Sequence, residues 1–468
     1  MSPDLRLRSA VLAGKAAATA SRMLRRGGGT TIPGDVALAV DPRALGKLAA
    51  GLPGGVVLVT GTNGKTTTAG LITTALRSNG EQVLNNSSGA NLLFGLCAAA
   101  VADADGAGRM RSRLAVFEVD ELWLEQAVAE LRPRVVVLLN LLRDQLDRSG
   151  ELETTAAQVG RALRRLPPHA AIVANVDDPL VTAQCLDLPG LVPVGIDADD
   201  FLLPGLPHAA DARACPRCGT ALLFERVVLA HCGTYACPTG DFVRPQPATA
   251  VTAIGAPAID ALRLQLSDGA VVSAAVGGVY NAYNVLAAYA AVRALGIDPT
   301  RAAAGIGGFR PRFGRQERLR LFGREMRFLL AKNPAGFDEV LRTADELGDA
   351  AAYLIAINDR IADGRDVSWL WDVDFERLAR SRRRPKVVAA GSRAHDLAVR
   401  LKYAGVDQQR VTVETDPERA LRRLATTGDP ASEAVVVPTY TAMLELRRVA
   451  ERSGAASAFW SEPVGTPS

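Results

Sequence analysis

Lysine is almost missing from this 468-residue chain: six occur, at positions 15, 47, 65, 332, 386 and 402, among 54 lysines and arginines together. A lysine in a chemical context is therefore informative. Aromatic residues make up only 5% and the net charge is +4. Neither stacking platforms nor a basic groove are on offer, which argues against a nucleic-acid partner. Long apolar runs are lacking as well. The longest, Leu92 to Ala102, falls short of the ~20 residues that cross a bilayer, so no membrane-spanning helix is expected. What remains, 48% hydrophobic and 22% charged residues, is the make-up of a water-soluble globular protein and excludes disorder or collagen. The length predicts two or three domains.

Near the N-terminus, Arg6 and Arg8 precede an alanine-rich stretch from Ala10 to Ala20, but Lys15 interrupts it and Arg22, Arg25 and Arg26 follow. That pattern departs from a signal peptide, so a cytoplasmic protein is expected. A basic helix here has two readings, a solvated surface helix or contact with anionic lipid at the inner membrane face.

Apolar runs alternate with helical patterns along most of the chain, which predicts a mainly parallel sheet flanked by helices. Strands are expected at Val56 to Thr60, Leu114 to Val119, Val135 to Leu139 and Ala171 to Asn175. From Pro204 to Pro247 prolines, glycines and four of the six cysteines gather with little helical periodicity. This reads as an inserted module. Tyr280 to Gly296 is helical in pattern, Gly305 to Arg318 reads as a hinge loop, and a second α/β series begins near Met326. The expected division is residues 1–50 as a basic helix and lead-in, 51–318 as a nucleotide-binding domain with its insertion at about 204–247, and 319–468 as a Rossmann-like domain.

Val56 to Thr60 runs straight into Gly61-Thr62-Asn63-Gly64-Lys65-Thr66-Thr67-Thr68, and a helical pattern follows through Leu71, Ile72 and Leu76. Strand, glycine loop and helix stand in the order that a phosphate site requires. Glycines let successive N–H groups face one anion, and the helix N-terminus adds its positive end. Lys65 supplies charge for the terminal phosphates and Thr66 a hydroxyl for Mg²⁺. Val59 stands where the common P-loop has its first glycine, so the loop is a shortened one. The strand from Leu114 ends in Glu118-Val119-Asp120-Glu121, at the edge where open α/β sheets place ligands. Glu118 is the expected Mg²⁺ contact; Asp120 and Glu121 read equally well as an acidic helix N-terminus.

Cys215-x-x-Cys218-Gly219, followed by Cys232 and Cys237, places four thiols in a short segment. Structural Zn²⁺ is the expected occupant, with Cys232 or alternatively His231 completing the site, since Gly240, three residues after Cys237, does not repeat the Cys-x-x-Cys spacing. Cys97 and Cys185 read as core residues.

The shortened loop Gly61 to Thr67 resembles the ATP site of the Mur ligase family. Asn140 to Arg148, Asn175-Val176-Asp177-Asp178, Asn281-x-x-Asn284 and Gly314-Arg315-Gln316-Glu317 are similar to further family segments in the same order. Gln145 replaces the usual histidine, no lysine lies between Lys65 and Lys332, and only about fifty residues precede the loop, too few for a UDP-sugar domain. These departures, together with Cys215 to Cys218, Leu330 to Gly336 and Asp363 to Asp372, resemble the MurT branch, the ligase-like subunits of lipid II isoglutaminyl synthase.

The resemblance implies ATP and Mg²⁺ as cofactors, with Asn281, Asn284 and Arg315 joining the loop in holding nucleotide. It implies ATP-dependent amidation of the D-glutamate α-carboxylate of the lipid II stem peptide, through an acyl phosphate, with Lys332 presented to the reacting centre. It also implies a GatD-type glutaminase partner, docked on the C-terminal domain, to which Asp366 contributes an orienting carboxylate; a turn-capping role is the other reading of Asp366. Two further readings stay open: a stand-alone Mur-type amino-acid ligase, and a zinc-ribbon NTPase acting as a binding protein or scaffold.

Overall fold

The structure, a computed structural model, describes residues 4–23, 31–86, 90–144, 151–311, 315–347, 352–429 and 431–456. Its larger sheet has nine strands, parallel from Val83–Asn85 at one edge, through Leu114–Glu118, Gly55–Thr60, Val135–Leu138, Ala171–Asn175 and Leu191–Ile196, to Thr249–Ala258. The strands Ala261–Leu266 and Val271–Ala274 then close the other edge antiparallel.

Side-chain alternation splits the core into two layers. Val57 and Val59 face the helices Lys65–Ser78 and Val279–Ala294, whereas Val56 and Leu58 face the helices on the opposite side. All four are essentially removed from water, each worth roughly 1.5–3 kcal/mol when fully buried. The N-terminal helix Leu5–Met23 joins the second layer by burying Ala10 and Val11, so it is not solvated all round. No described helix is long and apolar enough to cross a membrane.

A six-stranded sheet follows, in the order Arg315–Leu321, Arg324–Leu329, Ala434–Pro438, Ala352–Ala356, Lys386–Ala390, Val411–Val413. Only its first hairpin is antiparallel. The chain thus folds as two α/β units with mainly parallel sheets. The hinge loop expected at Gly305 to Arg318 is shorter than that: the helix Pro299–Gly307 enters it and a strand begins at Arg315. Between Leu191–Ile196 and Thr249–Ala258 of the first sheet, Leu223–Leu229 and Cys232–Ala236 form a separate antiparallel pair, within the stretch read as an insertion.

Candidate active site

The carboxyl ends of Gly55–Thr60 and Leu114–Glu118 meet the second unit around a cavity of about 440 Å³, within the size range of small-molecule sites. Its floor is the glycine loop. Gly61 and Gly64 have φ of 124° and 90°, conformations that glycine adopts at no steric cost. At Gly64 the space is also closed, because a Cβ would lie 2.0 Å from Asn284 Oδ1. Asn284 is thereby a brace for the loop: its Oδ1 accepts from Thr68 Oγ1 at 3.4 Å and its Nδ2 donates to Asn281 Oδ1 at 2.9 Å. Asn281 in turn donates to the Gly277 carbonyl. Both asparagines line the cavity.

Asn140, at the end of the neighbouring strand, accepts from the Asn63 N–H at 2.8 Å and donates to its carbonyl at 3.1 Å. Thr62 Oγ1 both accepts from Leu142 N–H and donates to the Leu142 carbonyl. The loop is therefore preorganised from two sides, with Thr67 buried in the first turn of its helix.

Lys65 Nζ donates to the Gly61 carbonyl at 2.5 Å and to the Thr62 carbonyl at 3.3 Å, and lies 2.9 Å from Glu121 Oε2. Burial works against the ammonium, but Glu121 and then Glu118 outweigh it and hold the pKa above its ordinary value. Thr66 Oγ1 donates to Glu118 Oε2 at 2.5 Å. The Glu118 backbone is fixed by reciprocal bonds to the Asn86 amide. A hydroxyl and a carboxylate at this distance are hard oxygen donors of the kind that Mg²⁺ takes, so Thr66 and Glu118 fit the ion expected of them. The acidic run divides: Asp120 caps the short turn Glu121–Trp123 by accepting from Leu122 N–H, as a helix N-terminus would, whereas Glu121 turns inward to Lys65.

The second unit supplies Lys332 and Asn333. Lys332 pairs with Asp144, on the same loop as Asn140. Asn333 and Asn63 exchange amide hydrogen bonds at 3.1 and 3.2 Å across 270 residues of sequence, and Asn333 Oδ1 also accepts from Gly336 N–H. Sequence reasoning missed this amide pair; its only signal is that Asn333 adjoins Lys332. It missed Gln316 too. That residue, at φ 65°, accepts from Gly277 N–H and donates to its carbonyl, steadying the turn before the asparagine helix. The backbone of Arg315 pairs with Leu329; its side chain, with Gly314 and Gln145 to Arg148, lies outside the described residues.

Three of the four expected zinc cysteines meet. The Sγ atoms of Cys215, Cys218 and Cys237 lie within 4.8 Å of one another. Two similar knuckles carry them: Cys215 N–H donates to the Thr220 carbonyl and Cys237 N–H to the Phe242 carbonyl, both at 2.7 Å. Gly240, at φ 83°, occupies the second knuckle where the first has Cys218. Cys232 does not belong to this site, which corrects the expectation. It begins the strand five residues before Cys237, an odd step that turns its side chain to the opposite face, and there it sits buried near Asn175 Nδ2 at 3.9 Å. Burial pushes its thiol well above the ordinary value. His231 is excluded as well. Its Nδ1 accepts from Asp211 N–H and Ala212 N–H, and its Nε2 lies 3.2 Å from Asp178 Oδ1. It fastens the insertion to the capping residue of helix Pro179–Cys185. Cys97 and Cys185 are core residues as expected, their thiols pushed up to about 12 by burial.

Asp366 lies on the exposed loop after Ala352–Ala356 and accepts from Ser368 N–H at 2.8 Å. That bond, the largest cause, lowers its pKa and fulfils the turn-capping reading. The same loop runs between the cavity, which Ala362 lines, and the surface, where Ile361 and Trp371 are 80% and 53% exposed.

Comparison with known proteins now decides the family. The Mur ligase middle domain matches residues 59–189 and the MurT ligase C-terminal domain residues 330–443. The lipid II isoglutaminyl synthase (glutamine-hydrolyzing) subunit MurT of Staphylococcus aureus (strain N315) is 32% identical over 445 residues, covering 95% of this chain and 98% of the relative. The chain belongs to the MurT family. Its Streptococcus pneumoniae (strain ATCC BAA-255 / R6) counterpart is 33% identical, over 91% of this chain and 93% of the relative. As a member of this branch of the Mur ligases, the chain is an ATP-dependent ligase.

Solved structures share the fold. A pseudomurein peptide ligase type C from Methanothermus fervidus matches with a TM-score of 0.68 at 21% identity, covering 85% of this chain and 79% of that one. MurF ligase from Thermotoga maritima in complex with ADP matches at 0.62 and 17%, covering 89% and 83%.

Proposed function

We propose that the chain amidates the D-glutamate α-carboxylate of the lipid II stem peptide to D-isoglutamine, using ATP and ammonia that a GatD-type glutaminase subunit releases. A carboxylate is a poor electrophile, so it is first phosphorylated by ATP, and ammonia then displaces phosphate from the acyl phosphate. Phosphoryl transfer of this kind rests on positioning and charge neutralisation. One observation carries the reading: Lys65, Thr66 and Glu118 of the first unit and Lys332 and Asn333 of the second line a single cavity or bond across it. Mg²⁺, held by Thr66 and Glu118, would neutralise charge on the transferring phosphoryl group. Lys65 donates toward the terminal phosphates, and Lys332 approaches the carboxylate from the opposite wall.

The glutaminase docks on the second unit. Ile361, Trp371 and Tyr403, the last 72% exposed, offer an apolar rim, and Arg400 stacks over Trp371 at 5.6 Å. Asp366 is exposed on this rim, free to approach a partner's imidazole. Zn²⁺ held by Cys215, Cys218 and Cys237 would tie the two knuckles together as a structural ion. The units of this reading are 1–50, 51–318 and 319–468, with the strand Arg315–Leu321 crossing from the second into the third. Leu5 and Leu12, exposed beside Arg8 on the first helix, support contact with the inner membrane face.

The purified chain is expected to amidate lipid II with ammonium alone, and with glutamine only after a glutaminase subunit is added. Glutamine use by the chain alone, or no one-dalton shift in the product with either nitrogen source, would overturn the proposal.

A further inference from the structure

Glu121 has no part in the reaction just described, yet it is largely shielded from water against the reacting groups. Its side chain is 12% exposed, and the short turn that carries it is fixed by the Asp120 cap. Burial opposes its charge, but Lys65 and next Lys332 more than compensate and keep its pKa below the ordinary value, so it is a carboxylate.

The donors of Lys65 can be counted. An ammonium has three N–H groups, and Nζ has three acceptors in reach, the Gly61 and Thr62 carbonyls and Glu121 Oε2. None is left over for a phosphate. Two of the acceptors belong to the loop itself; Glu121 is the side-chain partner that can let go. A phosphate arriving at Lys65 must also approach the Glu121 carboxylate, and like charges in a water-poor cavity repel more strongly than at the surface.

We infer that Glu121 is a positioning residue acting through Lys65: it holds the ammonium as counter-ion while the phosphate site is empty and opposes the polyphosphate of a nucleoside di- or triphosphate when it enters. Affinity is given up so that a buried lysine stays charged and aimed. Lys332, paired with Asp144 but with its charge also felt at Glu121, helps to balance the carboxylate once Lys65 turns to phosphate.

This inference rests on the nucleotide reading of the glycine loop, and calorimetric titration of the full chain with ADP, without Mg²⁺, separates the two. Glu121→Gln is expected to tighten ADP binding by about tenfold, equivalent to ~1.4 kcal/mol. Glu121→Asp is expected to stay near the wild type, and in the Lys65→Met background the gain is expected to shrink to the part owed to direct like-charge repulsion. Misfolding cannot imitate a gain in affinity, and Glu121→Ala removes the same charge without adding an amide. If neither neutral variant binds more tightly while the wild type binds ADP, the counter-ion role is wrong and the nucleotide site stands. If the wild type binds no ADP, both fall.

Discussion

The two sheets place their strand ends at one cavity or beside it, but they spend polar groups differently. In the first sheet, loops after Gly55–Thr60 and Leu114–Glu118 bring Lys65, Glu118 and Glu121 to the cavity wall. In the second, Asn358 follows Ala352–Ala356 and is consumed by its neighbours: its N–H donates to Thr439 Oγ1, its Oδ1 accepts from Ser392 N–H, and its Nδ2 donates to Thr441 Oγ1. Asp363 is similarly spent on Thr441. Open α/β sheets favour ligands at this edge, yet the rule gives a place and not a purpose. An edge whose charges point into a cavity is built for a ligand; an edge whose polar groups satisfy one another is built to hold its loops still.

The contrast is broken most severely at Lys65. Lys65→Met keeps the aliphatic stem and removes the charge, and turnover is expected to fall by about 10²–10³, the loss typical of a donor aimed at developing negative charge. Asn358→Ala should act on the other axis, costing about 1–3 kcal/mol of stability through unpaired buried groups, with ADP affinity unchanged. Turnover with ammonium and chemical unfolding, measured on both variants, distinguish the two kinds of edge. Equal loss of turnover from both would erase the distinction.

The first edge was largely legible in the sequence, because strand, glycine loop, lysine and threonine are contiguous and each has a local physical reason. Glu118 was legible for the same cause, being the last residue of a buried strand. Glu121 was not separable from Asp120 by local pattern, since an acidic pair after a strand serves a helix start equally well. Their partners divided their roles, Leu122 N–H for Asp120 and Lys65 for Glu121. The Asn63–Asn333 pair had no local signal at all, as its partners are 270 residues apart. Cys232 misled because closeness in sequence was read as closeness in space, whereas strand parity sends it and Cys237 to opposite faces. Along the second edge the α/β series expected from near Met326 is found, beginning with Arg324–Leu329, whereas the start of Arg315–Leu321 was read as hinge loop. The antiparallel strands Ala261–Leu266 and Val271–Ala274 were passed over, since they alternate exposed and buried residues instead of forming apolar runs.

The insertion sharpens the comparison at intermediate strength. Its three thiols lie apart from the cavity, and the Cys218 thiol is lowered to about 6, chiefly by hydrogen bonding with the Thr220 side chain. A thiol of that acidity is readily available as thiolate, the form that binds Zn²⁺. Cys218→Ser is expected to reduce zinc from about one equivalent to nearly none by elemental analysis, and to lower the unfolding midpoint of the first unit. ADP affinity should hold within about twofold, or ~0.4 kcal/mol. An equally large loss of ADP affinity would mean that the insertion shapes the phosphate site and is no separate support.

The smallest effect is expected where the two edges touch. Arg143 lies on the loop whose Asn140 and Leu142 hold the phosphate loop. Its backbone N–H donates to Asp211 of the insertion at 2.9 Å, and its guanidinium lies 3.3 Å from the same carboxylate and 3.0 Å from Asp372 on the loop after Ala352–Ala356. One side chain therefore joins the phosphate side, the insertion and that loop. The Arg143–Asp372 pair is about one third exposed on both sides, so solvent screening limits it to about 0.5–1 kcal/mol. A double-mutant cycle of Arg143→Ala and Asp372→Ala, read as the ratio of glutamine-supported to ammonium-supported turnover with the glutaminase present, should show a coupling of about three- to fivefold. Because the pair is ionic and partly wet, the coupling should shrink as salt is raised. A coupling that persists in high salt would assign the connection to packing around Leu370 and Arg400 instead of charge. No coupling at either salt would rest the joining of the two edges on the amide pair of Asn333 and the ion pair of Lys332.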